Sequence, residues 1–266
     1  MCEIQGRDVQ ADQQSAKLAC ALILSRDQVA HGTFVKTDSP QIVELLGATA
    51  LDFAVLDAEH APFDRGTMDR MMLAARASGL PLLVRVPDVG AGHIQNVLDL
   101  GAAGIVVPRV DGVERAREVV ARAKFRNGQR GFSISPRASG YGSLSRAEAL
   151  ARGDAARVVC QIESQQALNE VEAIAAVAGV DAVFIGRADL ALSMGIANPR
   201  APEVELAVQR IIDAARQAGC VCGMHVADRD EAGHFASQGV SWFIIGSDQS
   251  LLLQAARGIC RQGATA

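Results

Sequence analysis

The stretch Phe53-Ala-Val-Leu-Asp57-Ala-Glu59-His60 decides the fold, because it joins a short apolar run directly to three ionisable side chains. A continuous apolar run is typical of a buried parallel strand, and charge appears where such a strand leaves the sheet. Residues 81–85 end in the same way with an arginine, and residues 157–163 and 182–189 end in carboxylates. The four strand ends therefore predict one polar site at one end of a parallel sheet.

Strand-like runs alternate with helical patterns along the rest of the chain. The runs lie near residues 31–35, 53–57, 81–86, 104–107, 158–162, 182–185, 221–225 and 242–246. Apolar residues recur between them at spacings of three and four, which indicates helices. Examples are Met68-Met71-Met72-Ala75, Ile94-Val97-Leu98, Ala167-Val171-Ile174 and Val204-Val208-Ile211-Ile212. Helix ends are predicted at Gly79, Gly101, Gly219 and Gly239.

Eight strands that alternate with helices predict an α/β fold, a (β/α)8 TIM barrel. A doubly wound sheet is the alternative, since one miscounted strand would prevent the barrel from closing. The 266 residues are predicted to form a single barrel domain with a polar N-terminal tail over about residues 1–14, followed by a short helix over residues 15–24. Residues 125–156 have little periodicity, and we expect an ordered loop there, at a subunit contact or beside the site.

The overall composition excludes several classes of partner. Hydrophobic residues make up 49% of the chain and charged residues 21%, which is ordinary for a globular protein. The net charge of −4 argues against a nucleic-acid partner. The chain contains no apolar run of about 18 residues and no signal peptide at its polar N-terminus, so we predict a cytoplasmic protein without a membrane partner. The six cysteines lack the spacing of a disulfide framework.

Glu163 and Asp189 follow the neighbouring fifth and sixth predicted strands. Hard divalent cations such as Mg²⁺ and Mn²⁺ bind one or two protein carboxylates and complete their shell with water and substrate oxygens. Two carboxylates at adjacent strand ends match this requirement. The alternatives are two separately paired surface acids, or a helix cap at Asp189.

Arg85 and His60 are the candidates for chemistry beside those carboxylates. An arginine that ends an apolar strand needs an anion, and its planar fork matches a carboxylate or an enolate oxygen. The alternative is an internal salt bridge to Asp57 or Glu59. His60 lies just beyond the second strand, and an imidazole near neutral pKa is the usual general base, although a lone histidine is more often structural.

Three weaker candidates lie at the same end of the predicted barrel. His225 ends the seventh strand, and Lys36 follows the first strand, where a Schiff-base lysine is an option that would leave the paired carboxylates without a purpose. Ser247 and Asp248 follow the eighth strand, where their backbone N–H groups are placed to bind an anion or to begin a helix.

Taken together, these motifs resemble the metal-dependent class II pyruvate aldolases of the HpcH/HpaI family, which act on hydroxy-oxo acids. The resemblance runs from about residue 32 to residue 256. The residues that carry it are Leu56-Asp57-Ala-Glu59-His60-Ala-Pro62, Arg85-Val-Pro87, Leu98-Asp99-Leu-Gly101-Ala-Ala-Gly-Ile-Val-Val-Pro108, Arg130-Gly131, Gln161-Ile-Glu163, Gly179-Val-Asp181, Phe184-Ile-Gly186-Arg-Ala-Asp189-Leu190 and Gly246-Ser-Asp248.

The resemblance implies a barrel of the phosphoenolpyruvate/pyruvate type in which Glu163 and Asp189 hold a divalent metal ion, Mg²⁺ or Mn²⁺, with Co²⁺ as a further option. It assigns to Arg85 the stabilisation of the pyruvate enolate and to His60 the proton of the 4-hydroxyl group. It also implies that Asp57 and Asp99 orient or support the base, with Asp99 supplied by a neighbouring subunit. The substrate-binding residues that it implies are Arg85, Gln161, Gly186, Ala188 and Asp189.

The resemblance also implies a homo-oligomer, a hexamer or a trimer, with active sites at subunit borders. Two positions depart from the family pattern. Arg187 replaces the usual proline, where it is placed to bind a second substrate carboxylate or to form a salt bridge outward. Residues 132–142 also differ from the commonest version, so the acceptor aldehyde does not follow from the family.

The sequence thus predicts a metal-dependent aldolase that reversibly cleaves a 4-hydroxy-2-oxo acid to pyruvate and an aldehyde. One rival is a related metal-enolate lyase that acts on a malyl or citramalyl thioester, although the Asp-x-Glu-His motif differs from its typical signature. The other rival is a catalytically silent protein that binds 2-oxo acids on the same barrel.

Overall fold

The computed structural model describes residues 24–259 and shows a closed barrel of eight parallel strands in chain order. The strands are β1 (Ala30–Val35), β2 (Phe53–Asp57), β3 (Leu82–Arg85), β4 (Gly104–Val107), β5 (Arg157–Ile162), β6 (Ala182–Ile185), β7 (Val221–Val226) and β8 (Trp242–Ser247). The barrel closes where Ala30 of β1 pairs with Trp242 of β8. The predicted TIM barrel is therefore confirmed and the doubly wound alternative is wrong.

Helices surround the strands on the outside of the barrel. They are α1 (Pro40–Gly47), α2 (Arg65–Ser78), α3 (Ala91–Asp99), α4 (Val113–Ala123), α5 (Arg146–Asp154), α6 (Gln165–Asn169), α7 (Val171–Ala175), α8 (Arg187–Ser193), α9 (Pro202–Ala218), α10 (Arg229–Ala236) and α11 (Asp248–Ile259), with a 3₁₀ segment at Arg137–Gly142. Among these described helices, none combines the length and the apolar character needed to cross a membrane.

The predicted glycine ends are present, because left-handed backbone is needed where these helices turn into strands. Gly79 and Gly219 are left-handed C-caps with φ of 71°. Gly101 and Gly239 also have positive φ, at 97° and 110°. Glycine reaches such angles without the steric cost that a Cβ imposes.

Residues 125–156 contain more regular structure than their weak periodicity predicts. Helix α5 begins at a capping box, in which Ser145 Oγ accepts from the Glu148 N–H and the Glu148 carboxylate accepts from the Ser145 N–H. The Ser-x-x-Glu spacing is the sequence signal of this cap. Farther along, the helical stretch around Ala167-Val171-Ile174 is divided at Glu170 into two short helices. The helix expected over residues 15–24 and the polar tail lie outside the described part of the chain, Leu24 excepted.

Alternation along the strands places the site at one end of the barrel interior. Phe53 and Val55 belong to the apolar cluster that fills the interior, where the Phe53 ring stacks on Trp242 with centroids 4.7 Å apart. Side chains alternate between the two faces of a strand, so Asp57 occupies the next inward position of β2. Charged inward positions thus begin where the apolar filling ends, at the C-terminal ends of the strands.

Candidate active site

A buried ion pair between β2 and β3 forms the floor of the candidate site. Asp57 lies opposite Arg85 in the strand register, and both side chains are buried. Arg85 Nε donates to Asp57 Oδ1 at 2.9 Å and Nη2 donates to Oδ2 at 2.7 Å. The internal salt bridge considered as the alternative for Arg85 is therefore present. The third guanidinium nitrogen, Nη1, has no partner among residues 24–259, so Arg85 keeps one donor for a ligand.

Asp57 also contacts residues of neighbouring elements. Lys36 Nζ lies 3.0 Å from Asp57 Oδ2, and the His60 backbone N–H donates to Oδ1 at 3.3 Å. Burial alone would raise the pKa of Asp57, but hydrogen bonds and charges from Arg85 and Lys36 outweigh it and lower that pKa. The Phe34 ring lies beneath the Arg85 guanidinium, with its centroid 4.5 Å from Cζ. Asp57 is thus an ionised anchor that holds two cations and the turn carrying His60.

Glu163 emerges from β5 at the opposite side of the barrel mouth. Its carboxylate accepts hydrogen bonds from the Gln161 side-chain amide and from the Arg109 backbone N–H, the latter at 2.7 Å. Burial raises the pKa of Glu163, the two hydrogen bonds oppose the shift, and the nearby Glu59 and Asp189 charges add to it. Glu163 is therefore held beside other carboxylates at a cost that a cation would relieve.

Asp189 belongs to the first turn of α8, which begins directly after β6. The close approach of this turn to β5 depends on Gly186, because a Cβ built there would lie 2.7 Å from Glu163 Cβ and 3.0 Å from its Oε2. The two predicted metal ligands consequently line one cavity, although Glu163 directly follows a strand and Asp189 lies in a helix. The predicted cap role of Asp189 is not present, since Gly186 is the N-cap residue.

The cavity has a volume of about 190 Å³. Its lining residues are Glu59, His60, Arg109, Asp111, Glu163, Ser164 and Asp189. His60 Nε2 lies 3.7 Å from Glu59 Oε2, and the His60 side chain is 55% exposed. The structure thus brings three of the predicted residues, His60, Glu163 and Asp189, to one cavity. Arg85, Asp57 and Gln161 do not line it.

Asp99 is not brought to this cavity within the chain. It ends α3 and accepts a hydrogen bond from Arg130 Nη2 at 2.9 Å. The Arg130 guanidinium is buried and lies over the Phe125 ring, 4.4 Å from its centroid. The predicted role of Asp99 in a neighbouring subunit's site stays a prediction.

The weaker candidates have structural partners. Lys36 is bound to Asp57, as described above. At β7, desolvation lowers the pKa of His225, and the Arg85 and Lys36 charges lower it further. Asp248 is buried, and its carboxylate accepts the backbone N–H groups of Lys36 and Thr37, both at 2.9 Å. Asp248 therefore ties the end of β1 to the end of β8.

The backbone N–H of Ser247 is also engaged, because it donates to Ser250 Oγ at 2.8 Å. Helix α11 begins at the next residue, Asp248, so of the two roles considered for Ser247 and Asp248 the structure shows the start of a helix. Arg187 points away from the cavity: its Nη2 lies 2.6 Å from Glu231 Oε1 and its Nη1 lies 3.5 Å from Glu205 Oε1. Of the two roles considered for Arg187, the structure shows the outward salt bridge.

Arg109, Asp111 and Ser164 are cavity residues that the sequence interpretation missed. Arg109 and Asp111 come just after β4, so the rule that polar residues follow barrel strands would have found them. Pro108 directly follows the short fourth strand, so no ionisable residue stands at the end of its apolar run. Ser164 Oγ donates to Asp111 Oδ1 at 2.5 Å and joins the ends of β4 and β5.

The donor set fits a hard divalent cation. Within residues 24–259, no three His, Cys, Asp or Glu side chains are grouped so that they would hold a metal ion by themselves. Mg²⁺ typically binds one or two protein carboxylates and takes its remaining ligands from water and substrate oxygens. The two carboxylates in this cavity match that set. Gln161 Oε1 is buried without a hydrogen-bond partner, so a further oxygen is unsatisfied beside Glu163. Glu163 and Asp189 would hold such an ion.

Comparison with known proteins finds similarity to one family over most of the chain. Residues 30–255 match the family model described as HpcH/HpaI aldolase/citrate lyase. A 5-keto-4-deoxy-D-glucarate aldolase of Klebsiella pneumoniae is 35% identical over 234 residues, which cover 87% of this chain and 91% of the relative.

Two solved structures have closely similar folds. A HpcH/HpaI aldolase/citrate lyase family protein from Burkholderia cenocepacia superposes with a TM-score of 0.86 at 30% identity, and the match covers 91% of this chain and 97% of the other. A HpcH/HpaI aldolase from Desulfitobacterium hafniense has a TM-score of 0.81 at 28% identity, with 94% of this chain and 95% of the other covered.

Proposed function

We propose that this chain, which belongs to the HpcH/HpaI aldolase/citrate lyase family and is an aldolase, reversibly cleaves a 4-hydroxy-2-oxo acid to pyruvate and an aldehyde with the help of a divalent metal ion. One observation carries the proposal: the Glu163 and Asp189 carboxylates share a cavity with His60, and the buried Asp57–Arg85 pair lies at the same end of the barrel.

Glu163 and Asp189 are the proposed metal ligands. A bound Mg²⁺ or Mn²⁺, or alternatively Co²⁺, would polarise the 2-oxo group of the substrate as a Lewis acid. The Gln161 amide and the Arg109 backbone N–H orient the Glu163 carboxylate through hydrogen bonds to its two oxygens. This support keeps a ligand of raised pKa in position for the cation.

Arg85 stabilises the negative charge that develops when the C3–C4 bond breaks. The bond's electrons pass to C3 and form the enolate of pyruvate, which has its charge on the 2-oxo oxygen. The Nη1 group of Arg85, free of protein partners among the described residues, is the donor for that oxygen. Asp57 holds the guanidinium through the other two nitrogens and so positions the donor before the reaction begins.

His60 is the proposed base. Its imidazole takes the proton from the 4-hydroxyl group, directly or through a water molecule, and the aldehyde carbonyl forms as the bond breaks. Glu59, 3.7 Å away, stabilises the imidazolium that results. Addition of a proton to C3 of the enolate then yields pyruvate.

Gly186, Ala188 and Asp189 are proposed to bind the substrate through the turn that begins α8. The Ala188 and Asp189 N–H groups belong to the first turn of the helix and have no acceptor within it, so they are available to a substrate carboxylate. The Gly186 N–H already donates to the Ile162 carbonyl at 3.0 Å, so Gly186 would contribute through the close approach that its missing side chain permits. Gln161 supports the same end of the substrate, since its amide reaches Glu163.

We further propose a homo-oligomer, a hexamer or a trimer, in which the Asp99 role passes between subunits. Support comes from helix α11, whose side chains Leu252, Leu253 and Ile259 are more than half exposed. A row of exposed aliphatic side chains on one helix is typical of a protein interface. Cytoplasmic location remains a prediction from the sequence.

The experiment is an assay of pyruvate release from a panel of 4-hydroxy-2-oxo acids, with EDTA and then with Mn²⁺ or Mg²⁺ restored. Release that stops with EDTA and returns with metal supports the proposal. Release that survives EDTA would contradict the metal role and direct attention to Lys36.

The same preparation separates the rivals. Cleavage of malyl or citramalyl thioesters without release from any free oxo acid would assign the thioester lyase activity. Tight binding of oxalate or pyruvate without turnover would assign a silent binding protein.

A further inference from the structure

We propose that His225 is a further catalytic residue, the group that moves the proton at C3 of pyruvate. This inference rests on the proposed function and completes its last step, because the proton that C3 of the enolate gains has no source among the residues assigned above.

His225 is the last inward-facing residue of β7. Cys222, Met224 and Val226 belong to the apolar cluster between the strands and the surrounding helices, whereas Val221 belongs to the cluster that fills the barrel. Because side chains alternate along a strand, His225 faces the interior as Val221 does. His225 is exposed, although the rest of β7 is buried. It therefore lies in the barrel mouth, just above the apolar filling.

The ring of Phe34 contacts both His225 and Arg85. The His225 ring centroid lies 5.9 Å from the Phe34 centroid, and Arg85 Cζ lies 4.5 Å from the same point. Arg85 Nη1 is the proposed donor to the enolate oxygen. That oxygen and C3 are both attached to C2 of the substrate, so a side chain beside Arg85 is placed to reach C3.

The His225 imidazole is available for proton transfer. Within residues 24–259, no hydrogen bond or ion pair engages either ring nitrogen. Lys36, which also lies near the Phe34 ring, is instead held by Asp57 at 3.0 Å. A neutral imidazole has one nitrogen that accepts a proton, and histidine is the most frequent acid and base in enzymes.

The charges around His225 favour its neutral form. Desolvation lowers the pKa of His225 most, and the Arg85 and Lys36 charges lower it further. Glu231 opposes this shift, and Arg187 adds to it. An imidazole with a lowered pKa is a base at neutral pH, and once protonated it is a stronger acid than an ordinary histidine. Both properties suit a group that takes the C3 proton in one direction of the reaction and returns it in the other.

The proton transfer balances in both directions. In condensation, a ring nitrogen of His225 takes a proton from the C3 methyl group. The C–H electron pair forms the C2–C3 double bond of the enolate, and the carbonyl π electrons pass to the 2-oxo oxygen. In cleavage, the His225 imidazolium, protonated from solvent, gives its proton to C3 and the carbonyl group forms again.

His60 approaches the substrate from another side of the barrel mouth. It follows β2, which β1 and β8 separate from β7 in the closed barrel. Since His60 takes the 4-hydroxyl proton, the departing aldehyde lies between His60 and C3 when the C3–C4 bond breaks. A group on β7 meets C3 without passing the aldehyde.

The test is the exchange of the pyruvate methyl protons with deuterium from the solvent, in the presence of Mn²⁺ or Mg²⁺ and without an aldehyde. Samples are quenched with EDTA and measured by NMR. His225→Gln keeps a polar side chain of similar size that does not titrate, and it should lower the exchange rate at saturating pyruvate by about a hundredfold. The control is His93→Gln on α3, which removes an exposed histidine paired with Asp88 and should keep the wild-type rate.

The pH dependence supplies a second readout. Because the neutral imidazole is the base, the wild-type exchange rate should rise as the pH increases through the lowered pKa of His225, below the ordinary value of about 6.5, and then level off. His225→Gln should lack this rise. An NMR titration of the histidine ring protons in the metal-free protein should show the lowered pKa in a signal that His225→Gln removes.

Undiminished exchange in His225→Gln, the same rise with pH in that variant, or an equal fall in His93→Gln would overturn the assignment. The cleavage assay separates this failure from failure of the proposed function. Metal-dependent pyruvate release by the wild type, together with undiminished exchange in His225→Gln, would overturn the role of His225 alone. A wild type that shows neither release nor exchange with metal present would overturn the proposed function itself.

Discussion

Arg85 gives two of its three guanidinium nitrogens to the Asp57 carboxylate, through Nε at 2.9 Å and Nη2 at 2.7 Å. The pair joins adjacent positions on β2 and β3. A structural salt bridge and a catalytic role are therefore compatible in one side chain, because the carboxylate orients the fork and leaves Nη1 for a ligand. The pair also explains how a charged residue is tolerated at the end of an apolar strand.

Replacement of Arg85 by lysine should lower turnover by about a hundredfold, because a point charge cannot hold Asp57 through two bonds and also reach the enolate. The measurement is kcat for pyruvate release with saturating Mn²⁺. A near-normal rate in Arg85→Lys would show that Arg85 is structural.

The variants Glu163→Ala and Asp189→Ala should each abolish metal-dependent activity, since either change leaves a single carboxylate for the cation. Calorimetric titration with Mn²⁺ should show loss of binding. Full activity in either variant would remove that carboxylate from the proposed metal site.

Gly186→Ala tests the same site without changing a ligand. Its Cβ would meet Glu163 Cβ at 2.7 Å, so we expect weaker Mn²⁺ binding and lower activity at limiting metal. Gly92→Ala in α3 is the matched control, because a Cβ there meets nothing within 4 Å. Equal Mn²⁺ affinity in both variants would contradict the close approach inferred for Gly186.

The pH dependence of stability should reveal the Asp57 pair. Because the pKa of Asp57 is lowered in the folded state, its stabilising contribution is present above its ordinary value and is lost as the pH falls through the folded value. Asp57→Asn should lower the free energy of unfolding by about 3 kcal/mol at pH 7, since it leaves buried Arg85 without its charged partner. The difference from the wild type should shrink below about pH 4.

Urea unfolding of the two proteins at a series of pH values measures this difference. A difference that stays constant from neutral pH to pH 3 would show that the ionisation of Asp57 does not contribute.

Arg187→Met should destabilise the protein more than Arg200→Met, although both arginines contact the same Glu231 oxygen. The Arg187 side chain is 12% exposed and that of Arg200 is 64% exposed. Solvent screens the exposed pair, so we expect a loss of about 2 kcal/mol for Arg187→Met and less than about 1 kcal/mol for Arg200→Met in urea unfolding. Equal losses would contradict a structural role for the inner pair.

Much of the fold follows from local patterns. The apolar runs predicted all eight strands to within one or two residues at their ends. A parallel strand in a barrel is buried on both faces, so consecutive residues along it are apolar. Gly79 and Gly219 predicted helix ends for an equally local reason, the left-handed backbone. Helix α5 lacks a clear apolar periodicity, and its sequence signal is the capping box at its start.

The placement of the polar residues at one end of the barrel was equally predictable, since the C-terminal ends of parallel strands all lie on one side. Residues at strand ends, such as Asp57, Arg85 and Glu163, were therefore identified from their positions alone. The residues with which these side chains form ion pairs and hydrogen bonds do not follow from position in the sequence.

Partner choice was decided by the tertiary structure. Barrel closure and strand register set Arg85 against Asp57, whereas Arg187 turns outward to Glu231, a residue 44 positions later in the chain. The left-handed backbone at Arg109 brings its N–H within 2.7 Å of Glu163 Oε1. Periodicity shows which face of an element a side chain occupies, but an ion pair depends on distances of a few ångströms between elements far apart in sequence.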